Sequence, residues 1–291
     1  MSVIEVRDLR KSYGSLQAVD GIDLSIEAGE IFAILGPNGA GKTTTVEILE
    51  GFRTRNSGDV RVLDFDPQYK GRGGREFRDR IGIVLQSTSD AGDLTVNETL
   101  HHFAGYYSDP RNAQEVIEAV GLSDKKSSLV HTLSGGQRRR LDVGLGIIGN
   151  PELLFLDEPT TGFDPEARRD FWDLIRGLRD LGTTIVLTTH YLEEAEALAD
   201  RVAVINKGKI LEIETPANLG GRATSLARVQ WESAGMMREQ FTDRPTAVIA
   251  KLIIEFDGEI PKLVVSRATL EDIYLEMIGE TKGNVTKGNV K

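Results

Sequence analysis

The sequence contains no cysteine. That excludes disulfides, thiolate zinc sites and cysteine-ligated iron–sulfur clusters. Histidine is scarce too: the four residues fall in no HxxxH-type spacing, so a histidine metal cage is not expected. No apolar run approaches the roughly 18 residues that a membrane helix needs. The longest clean stretches, such as Ile31–Leu35 and Leu153–Leu156, are strand-sized. The opening Met-Ser-Val-Ile-Glu-Val-Arg lacks the apolar core of a secretory signal. Basic residues are in deficit. The 35 Lys and Arg stand against 45 Asp and Glu, a formal charge of −10, which speaks against a general nucleic-acid coat and leaves no nucleic-acid partner expected. What is present, 40% hydrophobic and 27% charged residues over 291 positions, is the balance of a globular protein and argues against disorder or a fibre. The length allows one large domain, or a domain of about 200 residues with a small companion. Either can bury a sizeable core.

The first 214 residues alternate strand and helix signals. Short β-branched runs predict strands at Val3–Val6, Ile22–Ile26, Ile31–Leu35, Val60–Leu63, Ile81–Leu85, Leu153–Leu156, Thr184–Leu187, Val202–Ile205 and Ile210–Ile213. The longer period predicts helices at Lys42–Leu49, Val96–Tyr106, Asn112–Val120, Gly135–Ile148, Pro165–Leu181 and Leu192–Leu198. Strands nearly free of polar residues are those buried on both faces. The fold class is therefore α/β, with antiparallel β material at the N-terminal end. After Thr215-Pro216 the pattern changes. The expected division is a main domain at 1–215, a small α+β domain at 216–280 and a mobile tail at 281–291. In the small domain Val248–Phe256 and Lys262–Val265 read as strands, and Thr269–Met277 as an amphipathic helix with Ile273, Tyr274 and Met277 on its apolar side. The tail repeats Thr-Lys-Gly-Asn-Val, a pattern with no apolar period.

Gly36-Pro-Asn38-Gly39-Ala-Gly41-Lys42-Thr43 matches GxxxxGK[ST], and it follows a buried-looking strand and opens a helix, as the motif requires. Glycines let backbone N–H groups approach phosphate oxygens, and the helix N-terminus adds partial positive charge. Lys42 supplies charge for the β- and γ-phosphates, and Thr43 offers a hydroxyl to Mg²⁺. Asn38, Gly39 and Thr44 belong to the same nucleotide-contacting segment. Leu153-Leu-Phe-Leu-Asp157-Glu158-Pro159 is an apolar strand ending in two carboxylates. Asp157 would hold Mg²⁺ through water, and Glu158, one residue beyond, could polarise an attacking water. Alone, such a run reads equally as a strand ending at ordinary helix caps; beside a phosphate loop it reads as chemistry. In Leu133-Ser134-Gly135-Gly136-Gln137, Ser134 and Gln137 form a capping box, while the glycines leave N–H groups uncovered as a second anion site. The bland alternative is a well-capped helix with Arg138–Arg140 as a solvated basic turn. Two phosphate sites beside one carboxylate pair raise the idea of an ATP held between two subunits.

On these motifs, in this order, the sequence over about residues 3–214 resembles the nucleotide-binding subunit of ABC transporters. The resemblance implies a P-loop NTPase core with an antiparallel β subdomain and a helical signature subdomain. It gives Tyr13 an adenine-stacking role, Gln86 a Mg²⁺-sensing role facing a membrane partner, Leu133–Gln137 the role of signature, and His190 that of a switch contacting the γ-phosphate. Thr161-Gly162-Phe163-Asp164 fits the loop that communicates across the dimer, with Phe163 departing from the family's usual Leu. His101, His102 and His131 have no such context. Phe103, Tyr106 and Tyr107 could pack in the core or line a groove for a short helix of the membrane partner.

The triple arginine after the signature and the terminal Leu270-Glu-Asp-Ile-Tyr-Leu-Glu are similar to the drug- and antibiotic-exporter branch, daunorubicin-resistance type. This resemblance implies an ATPase using ATP and Mg²⁺. Its partners would be a second copy, or a homologous subunit, in a head-to-tail ATP sandwich, and a separate transmembrane permease. It would sit peripherally on the cytoplasmic face of the membrane. A soluble ABC ATPase and a regulatory subunit with a dead site remain as alternatives. Against the first stand the single ATPase core and the missing coiled-coil insertion; against the second stand Lys42, Glu158 and His190.

Overall fold

In the computed structural model, which describes residues 1–69, 71–85 and 93–279, the chain opens on two long antiparallel strands, β1 (Ser2–Tyr13) and β2 (Leu16–Glu27). Alternation puts Ile4 and Val6 inside. A register shift between Val6 and Leu9, with Asp8 at φ 45°, restores the inward face at Leu9. Next come β3 (Ile31–Leu35), α1 (Lys42–Leu49), β4 (Ser57–Val62), α2 (Arg72–Asp79) and β5 (Ile81–Val84). A helical stretch comes after them: α3 (Val96–Ala104), α4 (Ala113–Ala119) and α5 (Gly135–Ile147). The chain then alternates through β6 (Leu153–Asp157), α6 (Pro165–Asp180), β7 (Thr184–Thr189), α7 (Leu192–Leu198), β8 (Arg201–Asn206) and β9 (Lys209–Glu214).

Two sheets organise this part. β2-β1-β4 is antiparallel, and a second sheet runs β5-β6-β7-β3-β8-β9. Within the second, β5, β6, β7, β3 and β8 are parallel. Every residue of β3 and β7 is buried, which is why those segments read as unbroken apolar or threonine runs. Register sets the site: Leu35 lies opposite Thr189, and Asp157 opposite Thr188. The carboxyl ends of β3, β6 and β7 therefore share one edge, where open parallel sheets bind ligands.

The helix expected at Val96–Tyr106 stops at Ala104 with Gly105 as its cap. Tyr106 lies outside it and is 69% exposed, with its ring edge-on to His102 and Phe103; Tyr107 turns in against Gly149. The basic turn is not wholly solvated either: Arg139 is buried.

The chain divides into two compact units, Met1–Ile213 and Glu214–Lys291. In the second, a 3₁₀ segment (Leu219–Thr224) precedes β10 (Ala227–Ser233), β11 (Met236–Thr242), α8 (Pro245–Glu255), β12 (Val264–Ser266) and α9 (Leu270–Met277). The sheet order is β11-β10-β12, all antiparallel. Val248–Phe256, expected as a strand, is instead helical. Pro245 sits in the first turn, where its missing N–H is harmless, and Val248 and Leu252 fall at i and i+4 to pack on Val229 and Ile260. The strands that replace it, β10 and β11, were not expected, because both are rich in Arg, Glu and Gln. The segment expected as a strand at Lys262–Val265 is β12, shifted by a residue or two. The expected C-terminal helix forms as α9, with Thr269 and Asp272 in a capping box. Its apolar side does not join the small sheet's core. Ile273 lies against Gly220 of the 3₁₀ segment, so closely that a Cβ there would fall 2.3 Å from Ile273 Cγ2. The tail at 281–291 lies outside the described residues.

Candidate active site

The loop from Gly36 to Lys42 joins β3 to α1, and two of its glycines are forced. A Cβ on Gly36 would fall 2.3 Å from the carbonyl oxygen of Ile205, and one on Gly41, at φ 106°, 2.3 Å from that of Ala18. The loop borders an open pocket of about 510 Å³, lined also by Tyr13, Asn38, Gly39, Thr43, Thr44, Glu158 and His190. Lys42 is only 5% exposed. Its ammonium donates to the carbonyl oxygens of Gly36 (2.9 Å) and Pro37 (3.3 Å). Burial lowers its pKa, opposed by the charges of Glu158 and Asp157. At its back, Glu50 is buried beyond the last turn of α1 and pushed up to about 7, by burial first and then by Asp157 and Glu47.

Glu158 begins the turn after β6 at φ 44°, in the left-handed region that a non-glycine residue seldom occupies. Thr188 of the neighbouring strand holds it there. The Glu158 N–H donates to both the carbonyl and the hydroxyl oxygen of Thr188, each at 3.1 Å, and that hydroxyl donates to Asp157 Oδ1. The carboxylate points back at the phosphate loop, with Oε1 3.8 Å from Lys42 Nζ and 3.2 Å from His190 Nδ1. Three sequence-expected residues from three different strand ends thus meet at one point. Asp157 stays half-buried behind them, outside the pocket lining. Thr188 was missed: a threonine inside a β-branched run carries no signal of its own.

Tyr13, 40% exposed at the end of β1, is flanked by cations. Lys11 Nζ lies 5.2 Å and the Arg53 guanidinium 5.4 Å from its ring centroid, and Arg53 is itself paired with Glu47. Arg53 is a site-bordering residue that sequence reading missed.

Ser134, Gly135, Gly136 and Gln137 are not brought to this pocket. They begin α5 with a reciprocal cap. Gln137 N donates to Ser134 Oγ (3.3 Å), and Ser134 N donates to Gln137 Oε1 (3.1 Å). A Cβ at either glycine would meet nothing within 4 Å, so this helix end faces open space. Asp164 caps α6 by accepting from Glu166 N and Ala167 N at 3.0 and 2.8 Å. Phe163 packs edge-on against Phe171 at 5.6 Å, an apolar seat for the residue that departs from the family pattern. Arg139 ties α5 to the carboxyl edge of the sheet, donating to Pro159 O (2.9 Å), Asp157 O (3.0 Å) and Leu85 O. Gln86 lies outside the described residues.

The donor set fits a nucleotide and Mg²⁺. One lysine, the first-turn N–H groups of α1 and the Thr43 and Thr44 side chains converge, and among the described residues no cage of carboxylates competes with them. One hydroxyl and one strand-end carboxylate are few ligands for a metal, which suits Mg²⁺ bound chiefly by water and substrate phosphates.

Residues 19–161 match the family described as ABC transporter. The chain is 44% identical over 221 residues to the daunorubicin/doxorubicin resistance ATP-binding protein DrrA of Streptomyces peucetius, across 74% of this chain and 66% of that protein. It is 33% identical over 311 residues to the daunorubicin resistance ATP-binding protein DrrA3 of Streptomyces coeruleorubidus, across 97% of each. Among solved structures, cbiO1 from Clostridium perfringens, described as part of the ABC transporter complex cbiONQ, superposes with a TM-score of 0.67 at 27% identity. That match covers 75% of this chain and 90% of that one.

Proposed function

The chain belongs to the ABC transporter family as an ATP-binding, ATP-hydrolysing subunit, and we propose that it powers export of drug-like or antibiotic molecules through a separate membrane permease. The resistance functions named for its relatives support that substrate class. Among the described residues no helix is long and apolar enough to cross a membrane. A permease would therefore carry the substrate, with this chain on its cytoplasmic face.

The observation that carries the catalytic reading is the meeting of Lys42, Glu158 and His190 at the mouth of the phosphate pocket. ATP would enter with its adenine on Tyr13 and its β- and γ-phosphates over the α1 N-terminus. Lys42 would exchange the carbonyls of Gly36 and Pro37 for phosphate oxygens, and His190 would turn from Glu158 to the γ-phosphate. Glu158, freed of both, would accept a proton from water as that water's oxygen attacks the γ-phosphorus, and the bond to the bridging oxygen of ADP would break. Thr43 and Asp157, with Gln86, would hold Mg²⁺, which when bound neutralises charge on the phosphate oxygens. The Thr188 hydrogen bonds keep Glu158 and Asp157 in fixed relation through this step.

Ser134–Gln137 would complete the site of a second copy in a head-to-tail dimer, Asp164 lying on the loop that joins the two. Supporting this, the Ser134 helix end is capped, open and away from its own phosphate loop. Glu158→Gln tests the reading. Nucleotide binding should survive, while turnover should fall by roughly 10²–10⁴-fold, the usual loss for such a group. Turnover within about twofold of wild type would remove Glu158 from the role.

A further inference from the structure

Among the described residues, the buried side-chain atoms left without a hydrogen-bond partner are Thr160 Oγ1, Arg168 Nε, Trp172 Nε1 and both carboxylate oxygens of Glu194. They form one cluster. Thr160, Trp172 and Arg168 all act on the Glu194 carboxylate, as does the hydroxyl of Thr189. Glu194 and Thr160 are each 0% exposed. A buried polar group left unsatisfied is costly, and folded proteins keep few of them. Here acceptors and donors that suit one another are gathered in one place, the Thr189, Thr160 and Trp172 side chains all within reach of the Glu194 carboxylate.

The place is specific. Thr189 ends β7 immediately before His190, and its hydroxyl accepts from Tyr191 N at 2.9 Å, which shapes the His190 turn. Thr160 is two residues beyond Glu158 and its carbonyl accepts from Phe163 N at 3.1 Å, inside the loop that runs to Asp164. Arg168 and Trp172 are on α6, which that loop begins, and the Arg168 guanidinium covers the Tyr191 ring at 4.7 Å. Glu194, on α7, faces all of them.

We propose that Glu194 is a positioning residue for hydrolysis: its buried carboxylate joins the turn that carries His190 to the turn beyond Glu158, and holds the two in register. A carboxylate accepts up to about four hydrogen bonds, and Thr160, Thr189, Trp172 and Arg168 supply that many donors. Hydrogen bonds from both turns to one carboxylate fix the two turns together. Burial pushes the Glu194 carboxyl above its ordinary range, countered by those same donors. The inference rests on the catalytic reading of Glu158 and His190.

The test is a kinetic and thermal comparison of Glu194→Met, Glu194→Gln and Thr160→Val in the full chain. Glu194→Met, which keeps the volume, should lower kcat by about 10- to 100-fold, the scale of a misplaced reacting group, with KM for ATP changed less than about threefold. Its melting temperature should change little, because the desolvation cost of a fully buried carboxyl is removed along with its hydrogen bonds. Glu194→Gln, which can still accept hydrogen bonds, should recover most of the rate. Thr160→Val should lower kcat alone and add less than its full effect to Glu194→Met. The proposal is overturned if Glu194→Met, or Thr160→Val should the former not fold, keeps kcat within about twofold of wild type, or if kcat and affinity fall together. Glu158→Gln run in parallel separates the two ideas: if it turns over normally, the catalytic reading itself has failed.

Discussion

The chain carries two glycine-rich helix starts, and they are built to different degrees of completion. At Gly36–Thr43 the loop is pinned against the carbonyls of Ile205 and Ala18, a buried lysine is folded onto it, and two further strand ends bring Glu158 and His190 over its mouth. At Ser134–Gln137 the helix satisfies its own first N–H groups by a capping box and nothing crowds its glycines. The first gathers its lysine, carboxylate and histidine within one chain. The second has the chemistry of an anion site, and its residues do not line the pocket at the first. A helix start that is well capped, exposed and unfinished is what a shared site requires of the half that a neighbour will complete.

The widest separation between the two should come from charge. Ser134→Arg places a bulky cation where the partner's nucleotide would lie. It should reduce phosphate release by about 10²-fold or more while ATP affinity of the isolated subunit, measured by calorimetry, stays within about twofold. Lys42→Ala should lose both. Mixing the two variants should restore some hydrolysis, since a mixed dimer regains one intact pairing of Lys42 with Ser134.

A smaller effect is expected at Tyr13. Removing a stacking aromatic costs about 1–3 kcal/mol, so Tyr13→Ala should raise KM for ATP by roughly tenfold at unchanged kcat. Glu50 sharpens the comparison through pH. Its folded pKa of about 7 exceeds the ordinary 4.5, so the folded chain holds an extra proton between those values. Stability then falls as pH rises through that window, with the full penalty reached above about 7. Glu50→Gln should therefore stabilise the protein at pH 8, by at most about 3 kcal/mol, and leave it unchanged near pH 4.5. Denaturant melts at the two pH values measure this. Least affected should be nucleotide affinity in a chain ending at Pro216, expected within about twofold of the full protein. A folded truncation that cannot bind ATP would mean that the boundary drawn at 215/216 is misplaced.

The sequence was most legible where backbone geometry leaves no choice of residue. Gly36 and Gly41 cannot be replaced without collision, and β3, buried throughout, and β6, buried from Leu153 to Leu156, announce themselves as apolar runs whose ends carry the chemistry. It was least legible in the second unit. Val248-Ile-Ala-Lys-Leu-Ile-Ile is as β-branched as a strand, and only the preceding Pro245 and the i, i+4 pair Val248/Leu252 mark it as a helix. The true hairpin turns at Ala234-Gly235, both at positive φ, but Ala is a poor advertisement for such a turn. Within the site, Thr188, Arg53, Arg139 and Glu194 act through tertiary contacts between distant strands and helices. No local spacing could reveal a threonine that bonds across to Asp157, or show that the middle arginine of three is the buried one.

The central claim is that Ser134 serves another subunit's nucleotide. The most direct measurement is the mass in solution of Glu158→Gln protein, which retains ATP, with and without Ser134→Arg. By sedimentation with ATP, Glu158→Gln should be a dimer that reverts to monomer when nucleotide is removed. The double variant should bind ATP equally well and remain a monomer. A double variant that dimerises with ATP as readily as Glu158→Gln alone would contradict the claim and leave Ser134 a helix cap.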